Sequence, residues 1–114
     1  MNDRKEKIGE IIKRLSAEFI ERESNRDALI SVTRVDISPD LKRVIIFISV
    51  LPESKEEASL FFVKRQGTAM RTYIKEHAKI RTIPYLEFII DVGEKNRARI
   101  DEIELEIEKR AKNN

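Results

Sequence analysis

The chain contains no cysteine, one histidine and only three glycines among its 114 residues. The missing cysteines exclude disulfides, thiolate zinc sites and a cysteine nucleophile, and one histidine excludes any site built on two. Glycines at 9, 67 and 93 are too far apart to form a glycine-rich phosphate loop. No apolar run approaches the roughly 20 residues of a membrane span, and the first residues lack the apolar stretch of a signal peptide. We therefore expect a soluble cytoplasmic domain that does not engage a membrane.

Charged residues are abundant but nearly balanced. Lysine and arginine number 23 and aspartate and glutamate 21, so the net charge is only +2. Charged residues make up 39% of the chain, above the usual quarter, and apolar residues make up 40%, which is enough for one core. Because the net charge is small, any surface that attracts a polyanion must come from an uneven distribution of charge.

Apolar periodicity predicts the order helix, strand, strand, helix, strand, helix. The expected ranges are a helix over 4–23, strands over 29–37 and 41–51, a helix from 54 to about 80, a strand over 85–91, and a last helix after residue 93. The end of that last helix, about 108–114, is expected to fray. No repeat or linker interrupts the pattern, so residues 1–114 are interpreted as one α+β domain, with a three-stranded sheet and its helices on one face.

The same patterns predict which side chains face the core. Alternation along the second and third strands places one set toward the helices: Val44, Ile46, Ile48, Leu86, Phe88 and Ile90. The set expected on the opposite face is Ile45, Phe47, Tyr85 and Ile89. The helix from 54 to 80 is expected to pack through Ala58, Phe61, Phe62, Ala69, Tyr73 and Ile74.

Gly67 lies inside that helix, where a glycine costs about 1 kcal/mol relative to alanine. Two explanations are open. Gly67 either permits close packing or marks a bend, where the backbone can approach a ligand. We predict a bend that divides the helix into two halves.

Potential catalytic residues do not form a recognisable constellation. Asp36, Asp40 and Asp91 lie at strand ends, but nothing in the sequence brings two of them together, and turn or cap roles explain them better. His77 lies on a helix without a motif that would make it a general base. We therefore predict that the protein is not an enzyme and needs no cofactor.

Positive charge is concentrated in one segment. Residues 59–86 contain six basic side chains against Glu76 alone, while the rest of the chain is net acidic. On a continuous helix, positions 64, 68, 71, 75 and 79 form one stripe, and four of them are basic. Such a stripe is typical of phosphate binding, although a solvated helix face is the alternative interpretation. The candidate nucleic-acid contacts are Lys64, Arg65, Gly67, Arg71, Lys75, Lys79 and Arg81.

With a break at Gly67, the order of elements is that of a type II KH domain, a common RNA-binding fold. KH domains usually carry a Gly-x-x-Gly loop between their two central helices, and here Gly67 stands alone. Characteristic stretches are VDISPDL over 35–41, RTIPYLEF over 81–88 and RIDEI over 99–103, together with the amphipathic first helix and the alternation over 44–51. On these features, which span nearly the whole chain, the sequence resembles the ribosome-binding factor A family.

The resemblance implies a function. Members of that family bind the immature small (30S) ribosomal subunit, contact its 16S rRNA and assist late maturation and rRNA processing. They act without catalysis and leave with the help of other factors, commonly a GTPase. The family replaces the Gly-x-x-Gly loop by a kink built on an Ala-x-Gly motif. This chain has Arg65 where the motif has alanine.

One alternative remains open on the residues alone. The second strand is apolar on much of both faces, so the uncovered face of the sheet is a potential contact surface for another protein. The chain would then be a protein-interaction or homodimer module, whereas the RNA-binding interpretation expects a monomer. Phe47 and Tyr85 on that face are candidates for base stacking or, more simply, for packing at the edge of the core.

Overall fold

In a computed structural model, residues 3–24 and 26–93 are described, and they form three helices and a three-stranded sheet. The helices are α1 (Asp3–Glu23), α2 (Glu56–Arg65) and α3 (Gly67–His77). The strands are β1 (Leu29–Ile37), β2 (Arg43–Leu51) and β3 (Tyr85–Ile90). The order and bounds confirm the predicted elements to within a few residues. The helix predicted after residue 93 and its frayed end lie outside the described residues.

The sheet has the order β1-β2-β3 and is of mixed type. β1 and β2 form an antiparallel hairpin, and β3 pairs with β2 in parallel. A parallel pair needs a crossover connection, and α2 and α3 supply it, following a short 3-10 turn over Glu53–Lys55. None of the described helices combines the length and apolarity needed to cross a membrane.

The hairpin turn is held by side-chain hydrogen bonds. The Ser38 hydroxyl donates to Oδ1 of Asp40 over 2.6 Å, and the same oxygen accepts the backbone N–H of Lys42 over 3.0 Å. The hydrogen bond from Ser38, followed by that from Lys42, holds the pKa of Asp40 below its ordinary value. Leu41 adopts a positive φ of 62°, a strained conformation for a leucine, and its side chain packs against the core. The turn chemistry expected of Ser38-Pro39-Asp40 is therefore present.

The two faces of the sheet are as alternation predicted. Val44, Ile46 and Ile48 are fully buried beneath the helices, and the β3 residues on that face are buried or partly buried: Leu86, Phe88 and Ile90. Phe47 is less buried than Ile46 and Ile48, as its position on the other face requires. We call that other face the open face of the sheet.

Phe47 is nevertheless covered. The guanidinium of Arg34, its neighbour on β1, lies 3.8 Å from the centre of the Phe47 ring, and only 7% of Phe47 is exposed. The ring is therefore not available for base stacking. Tyr85, by contrast, is exposed.

The prediction of the core face of the central helices was correct for Ile74, which is buried, and for Phe62 and Tyr73, which pack partly buried against the core, but wrong for the other three residues. The buried residues there are Ser59 and Val63 on α2 and Met70 and Ile74 on α3. Phe61, Ala58 and Ala69, which the sequence placed in the core, are exposed. The buried pairs are each four residues apart, one helical turn. The adjacent Phe61 and Phe62 led to the prediction that a different face of the helix is buried. The break between α2 and α3 also changes which residues of α3 face the core.

Candidate RNA-binding surface

The junction between α2 and α3 is one residue long. Gln66, with φ −86° and ψ 3°, ends α2, and its N–H donates to the carbonyls of Phe62 and Val63 over 3.1 and 3.2 Å. Its own carbonyl accepts the N–H of Met70 over 2.8 Å and so begins the hydrogen bonding of α3. The predicted break at Gly67 is confirmed, since Gly67 is the first residue of α3.

Close packing does not explain the glycine. Its φ is not positive, and a methyl group added at this position would have Cε2 of Phe88 as its nearest neighbour at 3.9 Å, an ordinary contact. Alanine would therefore fit at position 67. The remaining explanation is that glycine lowers the helix propensity at the point where the helix breaks, and that it leaves the backbone there without a side chain to cover it.

The continuous basic stripe expected from the sequence does not form. The junction at Gln66 separates Lys64, on α2, from Arg71 and Lys75, on α3. At the other end, Ala78 leaves the helix with extended backbone angles, φ −128° and ψ 145°, so Lys79 lies beyond it. Of the four basic residues of the stripe, only Arg71 and Lys75 share one helix.

Arg71 instead connects α3 to the segment that precedes β3. Its Nη2 donates to the carbonyl of Ile83 over 2.9 Å and its Nε donates to that of Pro84 over 3.2 Å. Carbonyls in irregular segments need such partners. No sequence pattern signals this role, because the two carbonyls lie 12 and 13 residues away along the chain.

The segment held by Arg71 places Arg81 beside α3. A groove of about 300 Å³ lies between this segment and α3. We call it the basic groove, and its lining consists of Thr68, Arg71, Thr72, Lys75, Arg81, Thr82 and Ile83. Three cations and three threonines line it, with no acidic side chain among them. Cations and hydroxyls are the side chains that most often contact nucleic-acid phosphates. The arrangement can therefore hold a phosphate backbone.

The other candidate contacts lie outside this groove. Lys64 lines a second groove, of about 410 Å³, beside the edge of β3 with Tyr85 and Glu87. Arg65 is directed toward Phe61, with its guanidinium 5.1 Å from the centre of the ring. Lys79 is exposed in the segment between α3 and β3. The structure thus brings together Arg71, Lys75 and Arg81, and leaves Lys64, Arg65 and Gly67 around the junction.

Three of the residues considered for catalysis, Asp40, Asp91 and His77, have structural contacts. Asp91 accepts a hydrogen bond from the Thr33 hydroxyl over 2.6 Å and lies 3.8 Å from Nε of Arg34. The ring of His77 stacks on that of Tyr73 with 4.0 Å between centres. Over residues 3–24 and 26–93, no three histidine, aspartate or glutamate side chains are grouped so as to hold a metal ion.

A mixed three-stranded sheet, two central helices joined at a one-residue break and a first helix on the same face define a KH-like α+β domain. On this domain the groove beside α3 presents charge of one sign. A family model described as ribosome-binding factor A matches residues 4–104. The chain belongs to the ribosome-binding factor A family.

Individual relatives and solved structures are similar to this chain. The ribosome-binding factor A of Coxiella burnetii (strain Dugway 5J108-111) is 29% identical over 102 residues, which cover 88% of this chain and 86% of the relative. The crystal structure of ribosome-binding factor A from Thermus thermophilus superposes with a TM-score of 0.69 at 24% identity, covering 75% of this chain and 93% of that one.

A third similar structure is a homology model of the Thermus thermophilus factor, fitted into a cryo-electron microscopy map of its complex with the 30S subunit. It has a TM-score of 0.65 at 24% identity and covers 73% of this chain and 90% of its own. The two Thermus structures confirm the predicted α+β, KH-like fold.

Proposed function

We propose that this protein is a non-catalytic assembly factor that binds the immature small (30S) ribosomal subunit through its 16S rRNA and assists late maturation and rRNA processing. The observation that carries the proposal is the family match over residues 4–104. The placement of a Thermus thermophilus relative in a 30S complex supports the small subunit as the partner.

The proposed contact is electrostatic and positional. Lys75 and Arg81 neutralise phosphates in the basic groove, and Lys64 and Arg65 do so at the other side of the α2–α3 junction. Phosphate contacts of this kind fix the position of a protein on its RNA without reading sequence. Gly67 lets the backbone come close to the RNA, since no side chain projects from it. Lys79, beyond the end of α3, adds a further exposed cation.

Arg71 has a double role in this proposal. Two of its donors hold the carbonyls of Ile83 and Pro84, which positions Arg81. An arginine has five N–H donors, so others remain for a phosphate. The groove is therefore pre-organised before RNA arrives, which reduces the entropy lost on binding.

The remaining features of the proposal follow the family resemblance. The protein acts in the cytoplasm as a monomer, without a cofactor, and an assembly GTPase assists its release from the mature subunit. Its effect on rRNA processing is exerted by positioning the RNA, with no chemical step of its own.

The alternative, a homodimer formed through the open face of the sheet, has one observation in its favour: Tyr85 and Ile89 are exposed there. Three charged side chains on the same face oppose it. Arg34 covers Phe47, and Arg43 pairs with Glu87 across β2 and β3. Burying these charges would be costly, so we favour the monomer.

Co-sedimentation tests the proposal. The purified protein is centrifuged with free small subunits, free large subunits and assembled ribosomes at several salt concentrations. We expect preferential binding to free small subunits that weakens as salt rises. Equal binding to all three particles, or binding to none, would contradict the proposal. A dimer that persists at high salt would favour the alternative.

A further inference from the structure

Phe61 is the most unexpected residue on the surface of the helices. It lies in the middle of α2, and 62% of it is exposed, while the core face of the same helix is formed by Ser59 and Val63. Burying a phenylalanine side chain normally stabilises a fold, and at this position that stabilisation is largely absent. A single exposed apolar side chain is common on protein surfaces, so the residues around Phe61 decide whether it marks an interaction site.

The exposed side chains that follow Phe61 along α2 are basic, although Arg65 also lines a groove with Glu23 and Asp27, and Lys64 lines one with Glu87. The guanidinium of Arg65, one turn further along α2, lies 5.1 Å from the centre of the ring. Lys64, three residues from Phe61, is exposed as well. No acidic residue occurs between Ala58 and Lys75. Glu57, the nearest acid before this stretch, lies one turn toward the start of α2, on the opposite side of Phe61 from the two cations.

A single ring with two cations beside it differs from an apolar protein-docking patch. The exposed neighbours of Phe61 one turn away are Ala58, Glu57, Lys64 and Arg65, and none of them is a large apolar residue. The centre of a protein interface needs a contiguous, largely uncharged surface. An unpaired nucleobase, in contrast, needs one aromatic face to stack on and cations for the adjoining phosphates.

We infer that Phe61 stacks an unpaired base of the bound RNA, with Lys64 and Arg65 holding the phosphates next to that base. The inference rests on the proposed function and adds a contact of a different kind to it. The basic groove holds backbone phosphates of any sequence. Phe61 requires a base that is free to leave its helix, so it directs the protein to a single-stranded or distorted region of the RNA.

The absence of tryptophan makes a direct test possible. The sequence contains none, so Phe61→Trp introduces the sole indole fluorophore at the proposed stacking position. We expect its fluorescence to be quenched by a single-stranded oligoadenylate and by free small subunits, because a base stacks on the indole. Leu29→Trp is the matched control, since Leu29 is 63% exposed on the open face of the sheet. Equal quenching at both positions, or none at 61, would overturn the inference.

Affinity measurements with free small subunits provide the second readout. Stacking on one base is worth about 1–3 kcal/mol, so Phe61→Ala is expected to weaken binding roughly 5- to 140-fold. Phe61→Tyr should bind like the wild type, while Phe61→Leu, which keeps an apolar side chain without a π-face, should bind nearly as weakly as alanine. Thermal melts confirm that each variant folds.

The outcomes separate this inference from the proposed function. If the wild type fails to bind small subunits, the proposed function is wrong. If the wild type binds and Phe61→Ala binds equally well, only the inference about Phe61 is wrong. Full affinity of Phe61→Leu would overturn the stacking role and indicate an apolar contact with a protein instead.

Discussion

Two grooves on the helical side of the molecule differ more in charge than in size. The larger, about 540 Å³, lies between the first half of α1 and β1 and mixes both signs, with Lys5, Glu6, Glu10, Lys13, Arg34 and Asp36 in its lining. We call it the mixed groove. The basic groove beside α3 is smaller, about 300 Å³, and its charged lining residues are Arg71, Lys75 and Arg81.

The difference shows why volume alone does not locate a polyanion site. In the mixed groove, each cation has an acid within the same lining, so the field at a passing phosphate is nearly cancelled. In the basic groove the three positive charges add. If the account is correct, variants of the two grooves affect RNA binding very differently although both sets of side chains lie on the surface.

Charge reversal should give the largest effect. Replacing Lys75 and Arg81 together by glutamate turns two attractions into two repulsions, and we expect affinity for small subunits to fall by more than about 100-fold. The measurement is co-sedimentation at one fixed, moderate salt concentration.

The matched control reverses the two lysines of the mixed groove, Lys5→Glu with Lys13→Glu, which makes the same change in net charge. A loss of affinity below about tenfold is expected there, from long-range repulsion alone. If both pairs lose affinity equally, net charge rather than the basic groove governs binding.

Removal of Arg71 should affect both stability and the shape of the basic groove. Arg71→Ala deletes the two hydrogen bonds to Ile83 and Pro84. Because the side chain is exposed, we expect a loss of about 1 kcal/mol in the free energy of unfolding. Hydrogen exchange at residues 79–84 should accelerate as well. Arg71→Lys should not restore protection, since an ammonium group cannot bond both carbonyls in the same geometry.

Lys75→Ala, one turn further along α3, is the control for this variant. It removes a cation from the same groove but no carbonyl contact. Unchanged exchange at 79–84 in Arg71→Ala would show that the arginine does not hold that segment.

Gly9 and Gly67 allow α1, which lines the mixed groove, to be compared with the α2–α3 junction. An added methyl would lie 3.6 Å from Cδ1 of Ile37 at Gly9 and 3.9 Å from Cε2 of Phe88 at Gly67, so alanine fits at both. Gly9 lies inside α1, and Gly9→Ala should raise the free energy of unfolding by about 0.5–1 kcal/mol. Gly67 begins α3, where the gain should be smaller.

Gly67→Ala and Gly9→Ala should also differ in their affinity for RNA. Gly67→Ala is expected to weaken binding to small subunits, because its methyl group lies where the backbone approaches the RNA, while Gly9→Ala is neutral. Urea denaturation and co-sedimentation on each variant provide the two readouts. Weaker binding by Gly9→Ala and not by Gly67→Ala would reverse the proposed location of the contact.

The smallest expected effect is the pH dependence of the hairpin turn, which lies outside both grooves. The pKa of Asp40 is lowered by the hydrogen bond from Ser38. A carboxylate with a lowered pKa stabilises the fold fully above its ordinary pKa of 3.8, and this contribution is lost as the pH falls through the lowered value. The difference in stability between wild type and Asp40→Asn should therefore be constant near neutral pH and shrink in acid. A difference that is the same at neutral and strongly acidic pH would rule out this role.

Local patterns were sufficient to predict the elements and the faces of the sheet. Alternation is a property of neighbouring residues, so Ile46 and Ile48 could be placed in the core without knowing what covers them. The turn at Ser38 and Asp40 was predictable for the same reason, since its hydrogen bonds join residues at most five apart.

Features that depend on distant residues could not be read from the sequence. Arg71 bonds carbonyls that only the folded segment before β3 brings near it. The exposed position of Phe61 depends on the helical phase that Ser59 and Val63 set by packing, and hydrophobicity alone favoured the wrong phase. Six of the seven candidate RNA contacts were chosen by charge, and of these six the structure groups only Arg71, Lys75 and Arg81 in the basic groove.

The salt dependence of binding tests the central claim, that the basic groove holds RNA phosphates, most directly. Affinity for free small subunits is measured at several salt concentrations for the wild type, for Lys75→Ala with Arg81→Ala, and for Lys5→Ala with Lys13→Ala. Each lost phosphate contact lowers the slope of log affinity against log salt by about 0.7–0.9. We predict that the slope falls by about 1.4–1.8 for the basic-groove pair and stays at the wild-type value for the mixed-groove pair. Identical slopes for all three proteins would contradict the account.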